Sequence, residues 1–302
     1  MQDIALLAID WGTSSARAYG IDREGRIRHT RSAPLGVQRV LDGEFSHALD
    51  ALCDGHVPDG VPIIACGMIG SRQGWVEAPY CECPADFSAV AASLTPVPGT
   101  ALAIVPGLIC RDDDGIADVM RGEETQILGA SAQGTPTRQV ILLPGTHSKW
   151  AIVGPEGIEA FSTFMTGELY AVLVEHSILG RLATTGSDDD ALARGVRHGL
   201  RAGGALSHDL FSARTLALTG QLASSAVGDY LSGVLLGAEI AAARHWLERM
   251  RLAATRLTVI GAQPLAQKYR AALAIAGIDA DIGAEDAAAR GLWRIAQHAR
   301  LL

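Results

Sequence analysis

Short apolar runs alternate along the chain with longer segments in which apolar residues recur every three or four positions. The apolar runs predict strands at 4–9, 16–21, 62–66, 102–105, 139–143, 150–153, 215–218, 256–260 and 278–282. The wider spacing predicts helices at 44–54, 123–133, 167–179, 189–200, 205–211, 227–250, 264–276 and 285–299. Because strands and helices alternate, the pattern predicts an α/β protein.

Two of the predicted strand pairs enclose turns of small and hydroxyl-bearing residues. In the segment 6–22, LLAIDWGTSSARAYGID, the first strand ends in Asp10 and the turn 12–15 follows. The segment 140–153, VILLPGTHSKWAIV, repeats this arrangement weakly around a turn at 145–149. Such turns direct backbone N–H groups and hydroxyls at an anion, and glycine permits close approach. They predict two phosphate-binding hairpins, one in each domain, and ordinary turns rich in Gly, Thr and Ser are the alternative.

Length and composition favour an enzyme with two domains. The chain has 302 residues, of which 48% are hydrophobic but only 5% aromatic, as in helix-rich α/β enzymes. The polar stretch 132–138, which contains Gly134 and Pro136, is the best candidate for a domain boundary. The net charge of −8 argues against a nucleic acid or an anionic membrane as partner, because neither is attracted to an acidic surface. Local groups must therefore hold any anionic ligand.

The apolar segments and the cysteines lead us to expect a cytosolic protein. Asp3 interrupts the short apolar start, and no charge-free apolar stretch reaches the roughly 20 residues that span a membrane. The five cysteines are odd in number and scattered, which disfavours a disulfide framework. Cys81 and Cys83 form C-x-C without a second pair at zinc-site spacing, so we expect no structural metal.

Two common nucleotide-binding motifs are missing from the sequence. There is no G-x-x-x-x-G-K-[ST], and no strand is followed by G-x-G-x-x-G with an acidic residue after it. A P-loop or a Rossmann nucleotide site is therefore disfavoured.

The order of elements instead resembles the actin, sugar-kinase and Hsp70-type ATPase superfamily. The elements are a hairpin, the helix at 123–133, a second hairpin, a strand–glycine–helix unit at 256–276 and the helix at 285–299. Seven stretches are similar in order and spacing to the 2-dehydro-3-deoxygalactonokinase family, namely AIDWGTSSARA, GMIGSRQGW, VPGLIC, MRGEETQILGA, LPGTHSKW, FMTGELYAVL and LSGVLLGAEIAAAR.

This resemblance implies a fold and a reaction. The fold would be two ribonuclease-H-like (actin-like ATPase) domains, at 1–135 and 136–302, that flank a cleft for ATP and substrate, with the helix at 285–299 packing back at the hinge. The reaction would transfer the ATP γ-phosphoryl group to the C6 hydroxyl of 2-dehydro-3-deoxy-D-galactonate, giving the 6-phosphate in galactonate catabolism. Mg²⁺ is the implied cofactor, and the implied partners are the two small-molecule substrates, without nucleic acid or membrane. Whether the chain forms a homodimer is open.

The resemblance also implies which residues bind ATP. Asp10 would hold Mg²⁺, because this ion takes one or two carboxylates and keeps several waters. The second turn begins with Pro144 where the wider superfamily commonly has an aspartate, so we expect no metal ligand there, and Lys149 would stabilise the phosphates instead. The residues implied to contact ATP are Gly12, Thr13, Ser14, Gly145, Thr146, His147, Gly261 and Ala262.

Two adjacent carboxylates are the candidates for the general base. Glu123 and Glu124 follow Gly122 at the start of a predicted helix, and a similar Gly-Glu-Glu element occurs at the same place in exopolyphosphatases of the superfamily. Accepting the proton of the attacking hydroxyl is the role that the resemblance implies for one of them. The alternative is that both merely complement the positive end of the helix dipole.

The acceptor side of the site is less well defined by the sequence. A sugar acid carries a carboxylate, and the planar guanidinium of arginine is its expected partner. Trp75 would form a wall of the substrate pocket or belong to the hydrophobic core. The threonine of MTGELY would cap a helix or bind a sugar hydroxyl. The candidate substrate-binding residues are Arg72, Trp75, Arg121, Thr166 and Glu168.

Two other classes of function remain open at this point. A phosphohydrolase of the same superfamily, acting on polyphosphate or a nucleotide, would use Glu123 to activate water and would release phosphate without an acceptor. A non-catalytic sensor would bind ATP without turnover, and no extra peptide-binding or DNA-binding segment is visible for that role.

Overall fold

The computed structural model describes residues 4–54, 60–131, 137–201, 205–253 and 256–302. Its strands are β1 (Leu6–Trp11), β2 (Ala16–Ile21), β3 (Ile27–Ala33), β4 (Ile63–Gly67), β5 (Tyr80–Glu82), β6 (Thr95–Pro96), β7 (Leu102–Ile104), β8 (Gly107–Arg111), β9 (Ala117–Met120), β10 (Gln139–Leu143), β11 (Ser148–Gly154), β12 (Gly157–Phe164), β13 (Arg256–Val259) and β14 (Asp279–Ile282). Its helices are α1 (Phe45–Leu52), α2 (Phe87–Ala92), α3 (Glu123–Ala130), α4 (Thr166–His176), α5 (Asp189–Gly199), α6 (Leu206–Asp209), α7 (Ser212–Leu218), α8 (Val227–Arg249), α9 (Gln263–Ile275) and α10 (Ala287–His298). The predicted α/β class is confirmed.

A six-stranded mixed sheet organises the first part of the chain. Its strand order is β3-β2-β1-β4-β7-β6. β1 and β2 pair antiparallel from Leu6 opposite Ile21 to Trp11 opposite Ala16, which confirms the first predicted hairpin. β1 pairs parallel with β4, and β4 with β7, so the carboxyl ends of these three strands meet at one edge. β1 is buried along almost its whole length, as expected for a strand covered on both faces.

A five-stranded sheet repeats this topology in the second part of the chain. Its order is β12-β11-β10-β13-β14, so in both sheets the first strand lies between the second strand and a later parallel one. β10 pairs parallel with β13, and β13 with β14. The weak repetition in the sequence is therefore a repeated strand order. In each sheet a turn rich in small residues joins the first strand to the second.

The chain forms two compact units that are not continuous in sequence. Unit 1 comprises residues 1–137, 152–161 and 284–302, and unit 2 comprises residues 138–151 and 162–283. The boundary predicted at 132–138 falls mainly on residues 132–136, which lie outside the described part of the chain. The functional domains expected at 1–135 and 136–302 stay a prediction.

Within unit 1, α10 packs closely against α3. A side chain on Gly129 would collide with the carbonyl oxygen of Ala287, and one on Gly291 would collide with the carbonyl oxygen of Thr125. At both positions the two helix backbones lie so close together that only glycine, whose side chain is a hydrogen atom, fits between them. The last helix of the chain therefore completes unit 1.

The long helix α8 is the centre of unit 2. Its Gly233 and Gly237 lie against the carbonyl oxygens of Leu192 and Val196 on α5, where a side chain would collide. The small-residue face of α8 is thus used for helix packing. The segment Ser224–Arg249 is long and apolar enough to cross a membrane, with a mean hydropathy of 1.3, but 67% of its most apolar window is buried inside the protein, as in a core helix.

The structure differs from the sequence prediction mainly in short elements. Residues 215–218, predicted as a strand, form the end of α7. The segment TLAL is too short for periodicity to separate a strand from a helix, and this prediction was wrong. The sequence analysis also missed α2 and the strands β3, β5, β6, β8, β9 and β12. β3, for example, reads IRHTRSA and has no buried residue, so it carries almost no apolar signal.

Candidate active site

Asp10 lies near the carboxyl end of β1, between two strands that present polar side chains. The strand register places it opposite Arg17 on β2 and opposite Cys66 on β4. The thiol of Cys66 points at the Asp10 carboxylate, with 3.9 Å between Sγ and Oδ1. Asp10 is therefore held in the middle of the sheet, at the edge where the parallel strands end.

The surroundings of Asp10 favour a bound cation. Burial is the main cause that raises the pKa of Asp10 to about 6, and the charge of Glu123 raises this pKa further, against the lowering effects of Arg17 and the Cys66 thiol. A carboxylate whose ionised form is disfavoured in this way is stabilised by any positive charge placed beside it. A metal ion at this edge would supply that charge.

The turn after β1 is fixed by hydrogen bonds of its own backbone. Gly12 N–H donates to the carbonyl of Ser15 at 2.9 Å, while the carbonyl of Gly12 accepts a bond from Val37 N–H at 3.0 Å. Gly36 passes so close that a side chain there would lie 2.4 Å from the backbone nitrogen of Ser14. The turn is thus rigid, and the side chains of Thr13 and Ser14 at its tip are exposed.

Two glycines bring the start of α3 to the same edge of the sheet. Gly67, at the end of β4, has φ +93°, and a side chain there would lie 2.6 Å from the carbonyl oxygen of Trp11. Gly122, which precedes α3, has φ +104° and would place a side chain 3.0 Å from Cα of Gly67. Both positions require glycine because of the backbone angle and the lack of space. The carboxylates that follow Gly122 therefore lie beside the ends of β1 and β4.

Glu124 is sealed inside unit 1. Its Oε2 accepts a bond from Gly122 N–H at 2.6 Å, and its Oε1 accepts one from the hydroxyl of Thr125 at 3.0 Å. Burial, reinforced by the charge of Glu123, raises the pKa of Glu124 to about 8. Its side chain has no exposed surface, and its bond from Gly122 fixes the backbone before α3.

Glu123 is the more accessible member of the pair. It is half-buried, and its Oε2 accepts a hydrogen bond from the backbone N–H of Arg121 at 3.0 Å. Its charge acts on both Asp10 and Glu124, which places it near both carboxyl groups. The structure therefore places the start of α3 beside the end of β1, where Asp10 lies.

Arg121 has unused hydrogen-bonding capacity. Its Nη2 donates to the carbonyl of Ala78 at 2.9 Å, and its guanidinium lies 4.4 Å above the ring of Tyr80. Its Nε and Nη1 are buried and have no hydrogen-bond partner among the described residues. A buried donor without a partner is costly, so this side chain is a candidate for binding an anionic group.

Arg72 and Trp75 occupy more ordinary environments. The side chain of Arg72 is 88% exposed and forms an ion pair with Glu77, with 3.0 Å between Nε and Oε1. Trp75 is half-buried and stacks on Phe45 at a centroid distance of 6.0 Å, against the apolar core of unit 1. The guanidinium of Arg72 is thus paired at the surface of unit 1.

In unit 2, the second turn lies against the start of α4. Glu168 N–H donates to the carbonyl of Thr146 at 3.0 Å, and a side chain on Gly167 would lie 2.4 Å from the carbonyl oxygen of Gly145. His147 Nε2 lies 2.5 Å from Glu168 Oε2. Carbonyl oxygens of the turn therefore face the positive end of the α4 dipole, which holds the turn against this helix.

Two predicted residues of this region have buried side chains. Lys149 donates from Nζ to the hydroxyl of Thr163 at 2.9 Å and is only 5% exposed. Thr166 is the first residue of α4 and not its cap, since Met165 holds the cap position, and the Thr166 hydroxyl bonds to Glu239 instead. The capping role considered for Thr166 was therefore wrong.

A cavity of about 590 Å³ in unit 2 opens next to the second turn. Its size suits a nucleoside-sized ligand. Gly261 and Ala262 lie just before α9, outside the lining of this cavity. The residues that line it are Gly145, Thr146, Thr166, Gly167, Tyr170, Ser232, Leu235, Leu236, Pro264, Leu265, Lys268 and Tyr269.

Sequence reasoning missed several polar residues around these sites. Cys66 is identified only by the parallel register that pairs it with Asp10. Lys268 lines the cavity and contacts Asp229, with 3.2 Å between Nζ and Oδ1. Glu239 does carry a signal in the sequence, because it is an isolated carboxylate in the apolar run GVLLGAEIAAA.

Comparison with known proteins identifies close relatives. Residues 10–295 match the sequence model of the family described as 2-keto-3-deoxy-galactonokinase. A probable 2-dehydro-3-deoxygalactonokinase of Rhizobium meliloti (strain 1021) is 37% identical over 306 residues, which cover 95% of this chain and 97% of that protein. The 2-dehydro-3-deoxygalactonokinase of Escherichia coli (strain K12) is 34% identical over 294 residues, which cover 97% of each chain.

Solved structures give the same result. A crystal structure from Sinorhizobium meliloti, of a protein assigned as a 2-dehydro-3-deoxygalactonokinase, has a TM-score of 0.87 and 35% identity, with 97% of this chain and 98% of that one covered. An activator of 2-hydroxyisocaproyl-CoA dehydratase from Clostridium difficile, with a TM-score of 0.50 and 10% identity, is similar in fold alone. The expected actin-like ATPase fold of sugar kinases is confirmed, and the chain belongs to the 2-keto-3-deoxy-galactonokinase family.

Proposed function

We propose that this kinase transfers the γ-phosphoryl group of ATP to the C6 hydroxyl of 2-dehydro-3-deoxy-D-galactonate. The observation that carries the proposal is the convergence of Asp10, Glu123 and the rigid turn 12–15 at one edge of the unit 1 sheet. The names of the relatives support the sugar acid as acceptor. Phosphoryl transfer needs positioning and charge stabilisation more than covalent chemistry, and this arrangement supplies both.

Glu123 is the general base in this proposal. It is half-buried and lies near Asp10, whereas Glu124 has no exposed surface and a pKa raised by burial to about 8. A base must reach the proton that it accepts, and a carboxyl group that holds its own proton at neutral pH cannot accept another. Glu124 acts through Gly122, whose backbone it holds, and is therefore a positioning residue.

Asp10, with Glu123 beside it, fits the ligand requirements of Mg²⁺. Among the residues that the structure describes, no cluster of three or more His, Cys, Asp or Glu side chains could hold a metal ion. Mg²⁺ that arrives with nucleotide phosphates needs only one or two carboxylates, and it prefers oxygen ligands. When bound, the ion would neutralise negative charge that develops on the phosphoryl oxygens.

Each of the two turns is proposed to bind phosphate groups of ATP. The first turn offers Gly12, Thr13 and Ser14 to the γ-phosphate. The second turn offers Gly145 and Thr146, while Lys149 lies buried behind it. The cavity beside the second turn would hold the adenosine, with leucines of α8 and α9 as its apolar wall. The contacts of Gly261 and Ala262 with ATP stay a prediction.

Arg121 is the proposed partner of the sugar-acid carboxylate. Its Nε and Nη1 have no hydrogen-bond partner within the described residues, and a carboxylate oxygen would give one of these donors a charged partner. Arg72 already pairs with Glu77 at the surface. Trp75, Thr166 and Glu168 keep the roles that the family pattern implies only as predictions. We also propose that the protein acts in the cytosol on these small molecules, with a homodimer as the assembly to test.

A coupled assay of ADP release tests this function. ATP, Mg²⁺ and a panel of 2-keto-3-deoxy sugar acids are supplied, with a control that lacks any acceptor. The proposal expects ADP release that depends on 2-dehydro-3-deoxy-D-galactonate. Equal release without an acceptor would identify a phosphohydrolase, and nucleotide binding without release on any acid would identify a sensor.

A further inference from the structure

A buried carboxylate lies beneath the second turn and has no part in the reaction as described so far. Glu239, on α8, is only 3% exposed. Its Oε1 accepts a bond from Trp150 Nε1 at 2.8 Å, and its Oε2 accepts one from the hydroxyl of Tyr269 at 2.8 Å. Thr166 also bonds to this carboxylate. A buried charge with this many donors is well satisfied, so its position is sharply defined.

The network extends from Glu239 to the second turn. The Tyr269 hydroxyl lies 2.7 Å from Oγ of Ser148, the residue that follows the turn and begins β11. The hydroxyl of Ser148 shares one hydrogen bond with this tyrosine, in which either oxygen can be the donor. The carboxylate thus holds the Tyr269 hydroxyl, and this hydroxyl in turn contacts the start of β11.

Two residues of this network also form the wall of the cavity. Thr166 and Tyr269 line the cavity of about 590 Å³ beside the turn. Thr166 is the first residue of α4, whose amino end lies against the turn. One carboxylate on α8 is therefore linked to β11, α4 and α9, the elements that meet around the proposed nucleotide site.

We propose that Glu239 is a positioning residue for nucleotide binding, acting on the second turn through Tyr269 and Ser148 and on the start of α4 through Thr166. This inference rests on the proposed function, because it takes the cavity and the turn as the site of the nucleotide. Glu239 does not touch the ligand. It sets where the turn and the amino end of α4 lie, and these present backbone groups to the phosphates.

The test removes single links of the network and measures nucleotide binding directly. Isothermal titration with ADP gives the dissociation constant without turnover, for the wild type, Tyr269→Phe, Ser148→Ala and the double variant. Ser148→Ala removes one hydrogen bond of the network, whereas Tyr269→Phe removes both bonds of the tyrosine hydroxyl, and each change should weaken ADP binding about tenfold. The double variant should be no weaker than Tyr269→Phe alone, because that change already removes the bond to Ser148.

Tyr230→Phe is the matched control. Tyr230 is another buried tyrosine of unit 2, whose hydroxyl bonds to His198 Nδ1 at 2.6 Å and to Ser212 at 2.9 Å and which does not line the cavity. Its loss should lower the thermal stability about as much as Tyr269→Phe does, with ADP affinity unchanged. In the kinase assay, Tyr269→Phe should raise KM for ATP with little change in KM for the sugar acid, and Glu239→Gln should do the same.

The outcomes separate the inference from the function on which it rests. Wild-type protein that binds no ADP would overturn the nucleotide site itself. Wild-type protein that binds ADP while Tyr269→Phe and Glu239→Gln bind equally well would overturn the positioning role alone. Equal weakening in Tyr230→Phe would also overturn it, since the effect would then be one of general stability.

Discussion

Replacing Glu124 by glutamine should change how the stability of unit 1 depends on pH. The carboxyl group of Glu124 is fully buried, and its pKa is raised by burial from the ordinary 4.5 to about 8. The unfolded chain therefore releases this proton near pH 4.5, whereas the folded protein keeps it until about pH 8. Between these values the folded state binds more protons, so the free energy of unfolding falls as the pH rises.

The size of this effect follows from the difference in pKa. One group that is protonated only when folded lowers the free energy of unfolding by ~1.4 kcal/mol per pH unit, which amounts to roughly 5 kcal/mol over the full interval. Glutamine mimics the protonated acid, since its oxygen accepts from Gly122 N–H and its amide donates to Thr125. Glu124→Gln should therefore match the wild type near pH 5 and be progressively more stable than it toward pH 8.

Urea unfolding at a series of pH values between 5 and 8 measures this difference. Glu156→Gln, which removes an exposed carboxylate of the same unit, is the control and should leave the pH dependence unchanged. A stability difference between Glu124→Gln and the wild type that stays constant over the whole pH range would refute the reasoning. It would mean that the buried carboxyl group does not retain its proton.

Three further predictions concern catalysis and packing. Glu123→Gln should lower kcat by about 10²-fold or more, measured by coupled kinetics, while ADP affinity, measured by calorimetry, stays unchanged. Near-full turnover would exclude this residue as the base. Asp10→Asn should raise the Mg²⁺ concentration needed for half-maximal rate at least tenfold, and an unchanged Mg²⁺ dependence would contradict the metal assignment. Gly291→Val should lower the melting temperature by several degrees, because the valine side chain would collide with the carbonyl of Thr125 on α3. An unaltered melting curve would contradict the packing described.

Long and strongly patterned elements were predictable from the sequence. The strand before Asp10, the strand 139–143 and the long helix α8 have clear apolar patterns, and the structure places them within one or two residues of the prediction. Edge strands such as β3 were not predictable, because a strand exposed on both faces carries no apolar alternation. For such strands the pairing partner, and not the local sequence, determines the structure.

The candidate site was predictable only in part. Asp10 and the Glu pair follow from motifs, but the difference between Glu123 and Glu124 depends on burial, which two adjacent acidic residues do not reveal. Likewise the partner of Arg72 is a surface carboxylate close in sequence, whereas Arg121 lies against groups more than 40 positions away. Tertiary contacts of this kind determine the different surroundings of two similar residues, and the local sequence does not show them.

The discontinuity of unit 1 has a consequence for how the chain folds during synthesis. All of unit 2 leaves the ribosome before residues 284–302, yet these residues supply the helix that packs on α3. Unit 2 can therefore finish folding first, while the amino-terminal half of the protein waits for its last helix. A stop codon or a bulky fusion near residue 284 should accordingly damage the part of the protein that was made first.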